Sequence, residues 1–245
     1  MIWFTFILGS AVSYVISVFF SDLKDEYYAH GAKNVHVRFT IVLVKAIAYV
    51  GVYPFLSDIF VLQFCILCWR CCRSIRCLRV EVEKSTVREF DVPAQMKIVS
   101  SELKIMAILE DLQKVFSLPS FLMFATHYCA CSSLLGWLVL GELRSAIKTF
   151  QTAFYFGSSF ACLVAYLWVP GKLPVEMNKL KEAFRQKSRL RWIFLGSHQE
   201  EDVFEKAFCG KEPLVITGFN IVSFRQSSIL AVIGTILSYT LLLVH

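Results

Sequence analysis

Charge is scarce in this chain: Asp, Glu, Lys and Arg make up 18% of its 245 residues, while 56% are hydrophobic. Soluble domains run at about 45–50% apolar even by a count that includes Gly, so this chain is too apolar to be one. Catalytic signatures are missing as well. There is no G-x-S-x-G, no H-E-x-x-H, no phosphate-binding loop and no G-x-G-x-x-G, and the five histidines lie scattered at His30, His36, His127, His198 and His245. An intramembrane protease needs paired acids or a Ser/His pair inside its spans, and Asp58 is the single acid well inside an apolar run. Enzyme activity is therefore not expected, and neither is a cofactor or a resident metal. Eleven Gly and six Pro, with no repeat or low-complexity tract, leave no long flexible linker and point to one membrane domain over 1–245.

What is present is length without charge. A helix crosses a hydrocarbon core about 30 Å thick with about 20 mostly apolar residues. Five runs meet that demand: 2–20, 40–69, 115–140, 149–169 and 226–244. One such run in isolation reads as a buried core helix, but five in one chain give an all-α, multi-pass membrane bundle. The first run also invites a signal-peptide reading. It has no basic n-region and its apolar stretch is too long for one.

Orientation follows from Lys and Arg. The connections 70–114 and 171–211 hold nine each, whereas 21–39 holds three and 141–148 holds two. Basic connections stay in the cytoplasm, so five spans place Met1 inside and His245 outside. The net charge of +6 is then a signature of topology, and nucleic-acid binding is not needed to explain it. None of the nine cysteines falls in a connection expected outside, so no disulfide framework is implied. The run CILCWRCC straddles a membrane boundary with no second ligand pair at zinc-finger spacing. Palmitoylation of Cys71, Cys72 or Cys77 suits that boundary better.

The connections are not featureless. Ile105, Leu109, Leu112 and Phe116 form an apolar helical stripe, and Met177, Leu180 and Phe184 form another. Each reads either as a helix lying on anionic lipid or as a membrane helix continuing into the cytoplasm and packing there. Pro119 and Pro170 fall near span ends, and Pro54 is interior to the second span, where it bends the helix. Lys45, Tyr49 and Tyr53 recur at intervals of four in the outer half of that span. One face carrying an ammonium and two phenols suits a small-molecule pocket, with outward snorkelling of Lys45 as the competing reading.

The final 28 residues read GFNIVSFRQSSILAVIGTILSYTLLLVH. Tyr239, Leu242 and His245 are spaced by three and share a helix face. The chain closes within the apolar run, which points to a working role for that helix. The spacing resembles the C-terminus of the arthropod gustatory receptors, within the insect chemoreceptor superfamily. In that family two glycines sixteen residues apart precede a Thr-Tyr-x5-Gln-Phe signature. Here Gly218 and Gly234 keep the interval, Ser238-Tyr239 stands for Thr-Tyr, His245 stands for Gln, and the closing Phe is missing.

The resemblance implies a seven-helix fold of which this chain supplies the last five, and hence a truncated or fragmentary chain. It implies a ligand-gated, non-selective cation channel in the plasma membrane, a small-molecule tastant, and a homo- or hetero-tetramer joined through cytoplasmic helices. Leu242 would then stand at an apolar gate and His245 at the pore's outer mouth. The alternative is a small multi-pass transporter or structural membrane protein. A transporter should carry inverted repeats or matching Gly/Pro-broken helices, and neither is found.

Overall fold

The computed structural model describes residues 37, 40, 57–140, 146–195, 208, 210, 215–219 and 221–244. Among the described residues three long helices dominate: α1 (Ser57–Lys84), α2 (Val92–Leu140) and α3 (Ala146–Leu195). A two-residue antiparallel ladder follows, β1 (Thr217–Gly218) with β2 (Val222–Ser223), and then α4 (Ser228–Val244). The fold class is all-α, as the five apolar runs imply, with a small hairpin that they do not suggest.

The membrane runs and the stripes beyond them are single helices. The 49 residues of α2 join the stripe at Ile105 to the run at 115–140, and the 50 residues of α3 join the run at 149–169 to the stripe at Met177. None of three interior prolines stops its helix. Pro119 lies inside α2, and Pro170 and Pro174 lie inside α3. Each removes a backbone donor and costs on the order of 3 kcal/mol in an isolated helix. Around the α3 pair, Tyr166, Leu167, Leu173 and Met177 are all buried, and that packing holds the helix through a sequence that would otherwise end it.

The turn between α1 and α2 is written locally. Thr86 and Glu89 form a reciprocal capping box: the Thr86 N–H donates to Glu89 Oε2 at 2.9 Å, and the Glu89 N–H donates to Thr86 Oγ1 at 3.3 Å. Hydrogen bonds to the carboxylate from the Thr86 backbone N–H, and then from its side chain, hold the Glu89 carboxyl below its ordinary pKa. Asp91 then caps α2, its Oδ1 accepting from the Ala94 N–H at 2.9 Å.

The chain divides into two compact units, the first comprising Met1–Gln63, Met123–Ala165 and Leu230–His245, the second Phe64–Leu122 and Tyr166–Ile229. The second has an aromatic core. Phe64 lies 5.6 Å from Phe116, 5.6 Å from Tyr166 and 6.2 Å from Phe224 between ring centroids, and Tyr166 lies 5.9 Å from Phe224. Burying each such ring is worth about 1.5–3 kcal/mol. A second group joins Phe90, Phe184 and Phe208 at 5.2 and 4.5 Å. Both expected stripes supply core: Leu109, Leu112, Met177, Leu180 and Phe184 are buried.

Elsewhere the helices are oily and uncovered. In the most apolar windows of α2 and α3 only 28% and 33% of residues are buried by the protein itself. A core helix of a soluble protein would be mostly covered, so these surfaces match helices solvated by lipid.

Candidate pore helix and buried polar cluster

The segment leading into α4 is fixed by close contacts within the second unit. A Cβ on Gly218 would meet Phe224 Cζ at 2.9 Å, so the first signature glycine makes room for the core ring. The Phe219 N–H donates to Ser117 Oγ at 2.8 Å, and the Phe219 ring lies 6.3 Å from Phe121. Phe219 itself has φ 51°, a left-handed conformation costing on the order of 1–2 kcal/mol, which those contacts hold in place. Thr217 Oγ1 accepts from Gln113 Nε2 at 2.9 Å. Gly171 of α3 makes the tightest approach: a Cβ there would stand 2.7 Å from the Gln226 backbone nitrogen.

Beyond Ser228 the helix is held by a narrow stripe. Ile236 and Thr240 are buried, and the Thr240 hydroxyl donates to the Ile236 carbonyl at 2.8 Å. Tyr239 and Leu242 lie to one side of that stripe, 52% and 77% exposed, and Leu230, Leu237 and Leu241 lie exposed on the other. At about 100° per residue the two flanks are distinct faces. Gly234, the second signature glycine, meets nothing among the described residues within 4 Å of a notional Cβ, so no contact among the described residues requires it. Of the residues expected at a pore or pocket, Tyr239 and Leu242 are placed on one outward flank. His245, Lys45, Tyr49 and Tyr53 lie outside the described residues, as does Pro54.

A second site emerges in the first unit. Asp58, near the start of α1, accepts from Cys162 Sγ of α3 at 3.3 Å. His127 of α2 approaches Ser57 Oγ with Nε2 at 3.3 Å, and Ser57 Oγ also donates to Met123 Sδ at 3.2 Å. Ser57, Asp58, His127 and Cys162 are all buried. The sequence marks Asp58 and His127 as isolated ionisable groups in separate apolar runs. Only packing brings them together with Cys162.

At the cytoplasmic end expected for α1 and α3, Glu176 is buried among cations: Arg76 at 3.1 Å, Arg79 at 3.4 Å and Lys179 at 3.9 Å. Burial works to raise its pKa, but the Arg76 hydrogen bond and the three positive charges outweigh it and hold the carboxyl below its ordinary value. Nearby, a groove of about 520 Å³ is lined by Trp69, Arg73, Arg76, Cys77 and Lys172 among others. Arg73 stacks over Trp69 at 5.8 Å, and Lys172 stacks over Trp168 at 5.3 Å. Of the three thiols suited to acylation, Cys71 and Cys72 are buried and Cys77 is exposed. Burial, with Glu176 and Cys71 beside it, pushes the Cys72 thiol up to about 11.

No family model and no curated protein matches the sequence. Solved structures do. The insect olfactory receptor OR5 from Machilis hrabei, in complex with eugenol, superposes with a TM-score of 0.78 at 17% identity, over 99% of this chain and 64% of the receptor. The structure of the same receptor described without eugenol gives 0.70 at 18% identity, over 97% of this chain and 65% of the receptor. The chain has the fold of an insect olfactory receptor. It spans less than two thirds of that receptor's length, and at this identity the likeness is one of fold. This likeness of fold agrees with the all-α reading of the apolar runs and with the chemoreceptor resemblance read from the last 28 residues.

Proposed function

We propose that this chain is a gustatory-receptor-like chemosensory subunit, a ligand-gated, non-selective cation channel of the plasma membrane with its C-terminus outside. The observation that carries the reading is the split surface of α4. A narrow buried stripe leaves Tyr239 and Leu242 on one flank and three leucines on the other. In a ring of four subunits, one flank faces the axis and the other faces lipid or a neighbouring subunit. Leu242 side chains converging on the axis form an apolar constriction that blocks ions by dewetting, and His245 at the outer mouth adds a titratable ring.

Assembly with copies or related subunits is supported by α2, whose Ile108, Val115, Leu118 and Leu122 stay exposed along one side. Ile108 belongs to the segment read as cytoplasmic, where a bare isoleucine has no lipid to cover it. Membrane lipid is the other expected partner, met by the uncovered faces of α2 and α3. The ligand is a small molecule, with Lys45, Tyr49 and Tyr53 as its proposed contacts and Pro54 bending the helix beneath them.

Two measurements test this. A tag after His245 should be labelled on intact cells, and labelling only after permeabilisation would overturn the orientation. In patch-clamp recording, Leu242→Ser should hydrate the constriction and raise resting conductance. Normal surface delivery of that variant, with resting and agonist-evoked currents unchanged, would remove Leu242 from the gate.

A further inference from the structure

We propose that Asp58, His127 and Cys162 form a zinc-binding site that ties α1, α2 and α3 together within the first unit. Their ligand atoms all lie within 4.8 Å of one another, and all three side chains are buried. Tetrahedral zinc with Zn–S about 2.3 Å and Zn–O about 2.0 Å sets its S and O ligands about 3.5 Å apart. Cys162 Sγ and Asp58 Oδ1 stand 3.3 Å apart, close to that edge. The imidazole ligand atom lies within 4.8 Å of both, so the ring has to draw inward when the metal binds.

The polar accounting of the site points the same way. His127 Nδ1 is buried without a hydrogen-bond partner, while Nε2 faces Ser57 Oγ. A buried imidazole nitrogen left unpaired is costly, and a metal bond to either nitrogen relieves it when the ring turns. Charge is equally telling. A lone carboxylate inside a membrane bundle is expensive. Zn²⁺ bound by one carboxylate, one thiolate and one neutral imidazole carries no net charge. Binding replaces the thiol proton, now donated toward Asp58, with a Zn–S bond and releases that proton to solvent.

The donor set selects the metal. One oxygen, one nitrogen and one sulfur are too few and too soft for Mg²⁺ or Ca²⁺, which require six or more oxygens, and suit zinc. Three protein ligands leave a fourth position for water or Ser57 Oγ. This site is separate from the thiols of CILCWRCC. Among the described residues it is the one grouping of three such side chains with this geometry.

The test uses the full chain, purified in detergent, stripped with a chelator and titrated with Zn²⁺ alone by calorimetry and with Co²⁺ by absorption. One ion per chain is expected, with a thiolate-to-cobalt charge-transfer band in the cobalt form. Cys162→Ser should abolish that band, whereas Cys131→Ser, which alters a buried thiol outside the group, should keep it. Asp58→Asn and His127→Gln should each weaken binding at least about tenfold, the effect of losing even an outer partner of a metal ligand. A wild-type chain without the band, or a Cys162→Ser chain that retains it, overturns the site. Should Cys162→Ser fail to fold, the wild-type spectrum and the His127→Gln affinity decide.

Discussion

Phe224 and Leu242 stand eighteen residues apart in the same C-terminal segment, yet one is 1% exposed and the other 77%. Around Phe224 everything is committed to the chain's own core: Gly218 yields space to its ring, Ser117 holds Phe219, and Gly171 admits the Gln226 backbone. Around Leu242 almost nothing is committed. The segment therefore contains two kinds of instruction, one addressed to this chain and one addressed outward. Its two signature glycines divide the same way, since Gly218 is crowded and Gly234 is open.

The sharpest way to break this contrast is Phe224→Ala. Removing a ring that touches both Phe64 and Tyr166 should cost about 3–5 kcal/mol, read as a large fall in melting temperature in detergent. Gly171→Ala comes next, at about 1–3 kcal/mol, because the added methyl meets backbone that has to move. A melting temperature unchanged by either substitution would mean that the segment is not locked.

Acid should separate the two parts as well. The Glu176 carboxyl sits below its ordinary pKa, so its contribution is present above the usual carboxylate range and is lost as pH falls through its lowered value. No Asp, Glu, Lys or Arg occurs between Ser228 and Val244, so α4 offers acid no comparable handle. Melting curves taken from pH 7 downward should show an acid loss that Glu176→Gln flattens, and an acid limb unaltered by that change would discard the assignment.

The smallest effect is expected at Gly234. Alanine there should raise α4 stability by about 0.5–1 kcal/mol through backbone entropy, since its methyl meets none of the described residues. If the same variant weakens oligomers on sizing columns, a neighbouring subunit occupies that space.

How far the sequence carries the fold depends on which interactions are local. The apolar runs and helical stripes are periodic, so α2, α3 and α4 are legible, and the buried Leu109, Leu112, Leu180 and Phe184 are anticipated. The fusion of run and stripe into one helix is one of the two readings the stripes allow, and in α3 tertiary packing decides it against the local cost of Pro170 and Pro174. The hairpin at Thr217 is hidden for a related reason: its turn puts φ > 0 on Phe219, a residue that announces no turn. Among candidate site residues, the outward flank of Tyr239 and Leu242 follows from spacing. The meeting of Asp58 with His127 and Cys162 spans 104 residues, and the burial of Glu176 against Arg76 spans 100. No local pattern encodes either.

The uneven burial of the thiols supplies a native reporter of sidedness. Cys71 and Cys72 are shielded, while Cys77 is exposed on the stretch that its arginines and lysines lead us to propose as cytoplasmic. With Cys209, outside the described residues, and the exposed Cys129 both changed to serine, a membrane-impermeant maleimide should leave the protein unlabelled on intact cells and should mark Cys77 once they are permeabilised. The protein would then declare its own orientation in the bilayer, with no appended sequence to disturb it.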